Sequence, residues 1–99
     1  MTTQPRAIAL FALLQPVFHR HGWTVALYGS CLTAPQGRDV DLQAVPWRPR
    51  ADRLAVEEAL AGRKFVVVPG SVCIGAVADS CAYRSYDIVL DVSWVRVVW

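Results

Sequence analysis

Ninety-nine residues make a single domain, residues 1–99, and 55% of them are apolar, a high share for a chain that buries only about two-thirds of its unfolded surface. Some of that apolar surface is therefore left over for a partner or a second copy. A net charge of +2 excludes a nucleic-acid coat held by charge alone, and the longest apolar run near the start, Ala7 to Leu14, is too short to span a membrane.

Thr3 is placed to cap a first helix that tolerates Pro5 in its opening turn. Ala7, Leu10, Phe11, Leu14 and Phe18 then recur at helical spacing. Pro16 should kink this helix by displacing the bond to the Ala12 carbonyl. His19, Arg20 and His21 bring positive charge to its last turn, where the dipole favours it, and Gly22 suits the position just past the end. Trp23 to Tyr28 is expected as a buried strand ended by Gly29-Ser30. Cys31 to Pro35 has room for one short helical turn, and Gln36-Gly37 is a turn. Arg38 to Val45 is the second strand, stopped by Pro46, and Trp47-Arg48-Pro49-Arg50 is a loop.

Ala51 to Ala61 is predicted as the second long helix. Leu54, Ala55 and Leu60 would face the core, Arg53 and Glu57 form an i,i+4 pair, and Gly62 is the stop. Phe65 to Val68 is a third strand, broken by Pro69-Gly70. Ser71 to Ala78 is either strand or loop, and Ala82 to Tyr86 is a fourth strand. From Asp87 to Trp99, the apolar Ile88, Leu90, Val92 and Trp94 alternate with Asp87, Val89, Asp91 and Ser93. That is a strand with one apolar face and one face bearing carboxylates. The order fits an α+β domain with one small mixed sheet and its helices packed on one side.

The chemistry concentrates in Tyr28-Gly29-Ser30 and Asp39-Val40-Asp41-Leu42. Residues i and i+2 of a strand share a face, so Asp39 and Asp41 would project together and repel. A cation between them relieves that repulsion. With a third carboxylate from a neighbouring strand, the set suits two Mg²⁺ ions, which prefer oxygen ligands and share them with substrate phosphates. A nucleoside triphosphate (NTP) is the natural co-ligand. Gly29 lets the backbone come close to a phosphate, and the Ser30 hydroxyl can donate to it. Arg38 could neutralise phosphate charge or sit solvated in a turn.

The pattern apolar strand, Gly29-Ser30, eight residues, Asp39-Val40-Asp41-Leu42 resembles the signature of the DNA polymerase β-like nucleotidyltransferases, and most of all their minimal branch. The resemblance implies a nucleotidyltransferase-like fold and Mg-dependent transfer of a nucleoside monophosphate from an NTP to a hydroxyl on protein, RNA or a small molecule. It implies Gly29 and Ser30 as the triphosphate grip and Asp39 and Asp41 as ligands of both metals. A later acid would complete the metal site. Asp91 is preferred for its central place in Leu90-Asp91-Val92-Ser93, and Asp87 competes for the role. Small members of this family often act as antitoxin-like modifiers paired with a helical protein. The helix usual after Gly-Ser is short here, and the helical substrate domain of larger members is not in this chain.

The remaining residues have plainer roles beside the sharper ones. His19 and His21 fit a helix end better than catalysis. Cys31, next to the Gly-Ser turn, lacks a basic partner in sequence and is taken as a small packing residue. The three cysteines form no C-x-x-C pair, and an odd count without a secretory signal points to a reducing cytoplasm. Nine of ten cations are arginine, whose fork suits phosphates but which composition bias also enriches. Of these, Arg48, Arg50 and Arg53 could meet nucleotide phosphates with Trp47 stacking a base, or form a solvated loop anchored by Trp47. The tail Trp94 to Trp99 could be a strand inside the sheet or an interface for a partner protein or second copy. A different class of function, a catalytically silent binding module on the same fold and encoded by a phage or mobile element, fits the same tail and the lack of a substrate domain.

Overall fold

The computed structural model describes residues 2–98, apart from the side chain of Leu32. Helix α1 (Gln4–Arg20) starts after Thr3, which is extended and makes no side-chain capping bond. Instead, Thr2–Thr3 form a two-residue strand, β1, paired antiparallel with Gln36–Gly37, β3. The turn expected at Gln36-Gly37 is thus a strand pairing, made because Gln4 N–H also reaches the Pro35 carbonyl at 2.9 Å. Pro16 lies inside α1, which continues through it. At the helix end, Gly22 takes φ +96° and its N–H bonds to the His19 carbonyl at 3.1 Å, the left-handed closure foreseen for it.

The main sheet has the order β2–β4–β8–β7–β5, with β6 paired to β7. Its strands are β2 (Trp23–Tyr28), β4 (Val40–Pro46), β5 (Val66–Val67), β6 (Cys73–Ile74), β7 (Ala78–Ser85) and β8 (Ile88–Val95). Strands β4 and β8 run parallel and the other pairs antiparallel. The fold is therefore α+β with a mixed sheet, as expected. β7 begins four residues before the predicted start, and the Ser71 to Ala78 stretch holds β6.

One face of this sheet makes the core. Trp23 and Val25 of β2, Val40, Leu42 and Ala44 of β4, Leu90, Val92 and Trp94 of β8, and Cys81 and Tyr83 of β7 pack with Ala7, Leu14 and Phe18 of α1. Helix α3 (Arg53–Gly62) adds Val56 and Leu60 to the same cluster. Asp52 caps α3, accepting from Ala55 N–H at 3.0 Å, so the helix starts two residues later than predicted. Leu54, expected in the core, is 64% exposed. Val56 and Leu60, four residues apart, form the buried face, and position 54, two residues from Val56, lies on the opposite side of the helix. The predicted Arg53–Glu57 pair forms at 3.5 Å. Glu57 also accepts from the Tyr83 hydroxyl at 2.6 Å, and that hydroxyl accepts from the Trp94 indole N–H at 3.2 Å.

The C-terminal strand is not an edge. β8 lies between β4 and β7, hydrogen-bonded on both sides, so it offers no free ladder for a partner strand. It ends at Val95. Arg96 to Val98 leave the sheet, and Trp99 lies outside the described residues. Among the described residues no helix is long and apolar enough to cross a membrane.

Candidate functional site

With the helices on one face, the other face of β2, β4, β8 and β7 carries the outward-pointing residues. The register sets Tyr28 opposite Asp41, Asp41 opposite Asp91, and Asp91 opposite Ala82. Paired residues of neighbouring strands point the same way, about 4.8 Å apart. Two carboxylates 50 positions apart in sequence are thus adjacent on parallel central strands.

Asp39 reaches the pair by a different route from the one expected. It is not in a strand: Arg38 and Asp39 form a bend ahead of β4. The reason is pairing. β2 stops at Tyr28, whose partner is Asp41, so Asp39 has no partner on the β2 side, and the preceding Gln36–Gly37 is bound to β1. The buried Cys31 thiol donates to the Asp39 carbonyl at 3.2 Å and holds that bend. Cys31 is therefore a packing residue, as anticipated. Burial, and then the charge of Asp41, push its thiol up and away from nucleophilic use.

Asp41 and Asp91 feel their neighbouring acids. Burial, then Asp91 and Asp39, hold the Asp41 carboxyl above the usual carboxylate range. Burial, then Asp39, does the same for Asp91. The Tyr28 phenol is raised by burial and then by Asp41 and Asp91. Among the described residues, no cation and no hydrogen-bond donor neutralises Asp39, Asp41 or Asp91.

The Gly-Ser turn abuts this row. Gly29 has φ +85° and ψ −160°, a conformation close to glycine-only. A Cβ there would land on the Asp41 carboxylate and lie 3.0 Å from its Cγ. Gly29 is thus required twice, by its backbone and by Asp41. Ser30 opens α2 (Ser30–Thr33), a four-residue helix with an exposed Ser30 side chain. Gly37 lets β3 close over the turn, because a Cβ on it would meet the Ser30 hydroxyl and the Cys31 sulfur at 2.6 Å.

Two solved structures share this arrangement of chain. Cid1, an RNA terminal uridylyl transferase, matches with a TM-score of 0.67 over 92% of this chain at 14% identity. A cytoplasmic RNA terminal U-transferase matches at 0.65 over 88% at 18% identity. The fold is nucleotidyltransferase-like. This chain spans 30% and 28% of those two proteins. No known family profile matches the sequence, and no curated protein matches it.

Asp87 and Asp91 separate clearly on this nucleotidyltransferase-like fold. Asp87 precedes β8, is exposed, and is bridged by both terminal nitrogens of Arg6 at 3.1 Å. Arg6 holds its carboxyl below the usual range, by hydrogen bonding first. Asp91 is the one beside Asp41. Among the described residues, no three His, Cys, Asp or Glu side chains converge in a geometry ready to hold a metal ion. The donor chemistry of the row still fits Mg²⁺: oxygen only, half-buried and uncompensated.

The Trp47 cluster is elsewhere. Six residues of strand, roughly 20 Å at about 3.3 Å each, separate Asp41 from Trp47. Trp47 stacks on His19 at 5.2 Å and its indole donates to the His19 carbonyl at 3.2 Å, so it anchors the loop to the end of α1. Sequence reasoning placed Ser93 on the carboxylate face but gave no role to Gln43 and no separate role to Tyr28, yet all three share the acidic face. The alternation of β2, with Trp23 and Val25 inward and Tyr28 44% exposed, carried that signal.

Proposed function

We propose that this chain is the catalytic core of a metal-dependent nucleotidyltransferase, moving a nucleoside monophosphate from an NTP to a hydroxyl acceptor. The observation that carries the reading is the Asp41–Asp91 pairing across parallel strands, with Asp39 close by and Gly29 against Asp41. The likeness to RNA terminal uridylyl transferases makes UTP and an RNA end the first donor and acceptor to test.

In this reading Gly29, lacking a Cβ, lets the triphosphate approach the backbone, and the Ser30 hydroxyl donates to a phosphate oxygen. Asp39, Asp41 and Asp91 would hold Mg²⁺. Bound, the metal supplies neutralisation of the triphosphate and of the attacking and leaving oxygens. An Asp91 carboxylate oxygen takes the proton of the acceptor hydroxyl. The acceptor oxygen then bonds to the α-phosphorus as the bond to the β-phosphate oxygen breaks, releasing pyrophosphate. Tyr28, at the end of the row, flanks the nucleotide.

A second reading is favoured by one observation, the lack of a converged metal geometry among the described residues. It is the catalytically silent binding module, with an acidic face that contacts a macromolecule. Titration with Mn²⁺ and UTP, beside Asp41→Asn and Asp91→Asn, decides between them. Saturable binding lost in both variants supports the enzyme. Equal binding, or none, by all three proteins removes its basis.

A further inference from the structure

A cavity of about 290 Å³ opens at the end of the sheet away from the carboxylates. Its walls are Trp23, Pro46, Ala51, Val95 and Val97, and three arginines, Arg48, Arg50 and Arg96, stand around it. The charges of these arginines are unequally satisfied. Arg96 is bonded to Asp79 and to the Gly75 carbonyl, which ties the segment after β8 to the β6–β7 hairpin. Arg48 leans on the Trp47 ring at 5.1 Å and reaches the Arg20 carbonyl at 3.5 Å, but meets no carboxylate among the described residues. Arg50 has no hydrogen bond or ion pair among the described residues. The nearest acid in sequence, Asp52, is engaged in capping α3.

Two further features concentrate at the same place. Arg50 adopts φ +63°, a left-handed conformation that a side chain with a Cβ rarely takes. The turn gives Arg50 this conformation even though a glycine would be free of strain there. Trp23, on the cavity wall and 7% exposed, has a buried indole N–H without a hydrogen-bond partner. Buried donors in native proteins are nearly always paired, so an orphan beside a cavity marks a place where an acceptor is expected. Arg48 and Arg50, like charges at one rim of a concave site with no carboxylate partner among the described residues, repel as the acids do at the other end.

We propose that this cavity binds a phosphate group carried on an apolar or aromatic body, as in a nucleotide, at a site separate from the acidic row. Two arginine forks can share the oxygens of a phosphate, while Trp23, Pro46, Ala51 and Val95 cover the attached body. The phosphate belongs either to a free mononucleotide or to the backbone of a polynucleotide, and both present the same group.

The test uses the whole chain without divalent metal, carrying Asp41→Asn so that the acidic row takes no part. Inorganic phosphate, AMP and a short single-stranded oligonucleotide are titrated while the indole N–H resonances are followed by NMR. Saturable binding that shifts the Trp23 indole is expected, at least tenfold weaker in Arg50→Gly and in Arg48→Gln, and unchanged in the exposed β7 variant Arg84→Gln. Arg50→Gly suits the left-handed backbone, and circular dichroism checks that each variant is folded. AMP tighter than the oligonucleotide identifies a mononucleotide site, and the reverse identifies a polynucleotide track. The absence of saturable binding by all three probes overturns the proposal. So do affinities in Arg50→Gly and Arg48→Gln equal to that of the parent protein, or equal competition by acetate at matched ionic strength.

Discussion

Replacing Gly29 with alanine attacks the candidate site at its most constrained atom. Two costs add. The backbone at φ +85°, ψ −160° lies in a region nearly closed to residues with a Cβ, and holding alanine there costs about 1–3 kcal/mol. The new methyl also collides with the Asp41 carboxylate and sits 3.2 Å from the Asp41 Cβ. Either the turn or Asp41 must move. For a domain of this size about 2 kcal/mol lowers Tm by roughly 8–16 °C. A carboxylate displaced by about 1 Å can cost on the order of a hundredfold in a reaction that needs it. Thermal melting followed by circular dichroism reads the first effect, and calorimetric titration with Mn²⁺ and UTP reads the second. In an Asp41→Ala background the carboxylate is gone, so Gly29→Ala should lose part of its cost and keep the backbone share. A Gly29→Ala protein with unchanged Tm and unchanged metal–nucleotide affinity would refute the reasoning.

The pH dependence of stability follows from the same row. Asp41 and Asp91 have folded-state pKa values above those of the unfolded chain, so in the acid window above about 3.9 the folded protein binds more protons and metal-free stability falls as pH rises. Asp41→Asn should flatten that slope and raise Tm at neutral pH, measured by melting in EDTA across pH 4–8 (about that range being where carboxylates and their raised forms titrate). Asp87, held low by Arg6, has the opposite sign, so the comparison is the difference between the two proteins. Asp87→Asn should leave nucleotide transfer and metal–nucleotide binding intact while Asp91→Asn abolishes both, and loss of the exposed Arg6–Asp87 pair should leave the denaturant midpoint nearly unchanged. Tyr83→Phe leaves the Trp94 indole N–H and the half-buried Glu57 without the shared hydroxyl. It should destabilise the fold by about 1–3 kcal/mol, read from urea unfolding, with no change in metal–nucleotide affinity.

Much of this was legible in the chain because the relevant signals are local. Gly22 and Gly29 end elements through their own backbone chemistry, whereas the Asp52 cap of α3 escapes the sequence pattern, which starts the helix at Ala51. β2 shows the predicted limits, Trp23–Tyr28, because a glycine of positive φ stops it. The alternation of β8 was visible as Leu90, Val92 and Trp94 set against Asp91 and Ser93. The misses share a cause. Gln36–Gly37 looks like a turn because its partner strand, Thr2–Thr3, lies more than thirty residues away and is only two residues long. Leu54 looks like a core residue because periodicity does not say which of two apolar faces packs on the sheet, and Val56 with Leu60 is the face that does.

The sequence alone determined the order of the main helices and strands, though not the short β1 and β3, together with the glycine that must precede Ser30 and the acids to watch. Local propensity and period carry that information. Tertiary structure decided the rest: that Asp91 and not Asp87 stands beside Asp41, that Asp39 arrives on a bend, and that the apolar C-terminal strand is central. It also placed Trp47 and its arginines at the far end of the sheet. Each of these is a matter of strand register and strand order, set by pairing between distant segments, and no window along the chain contains both partners.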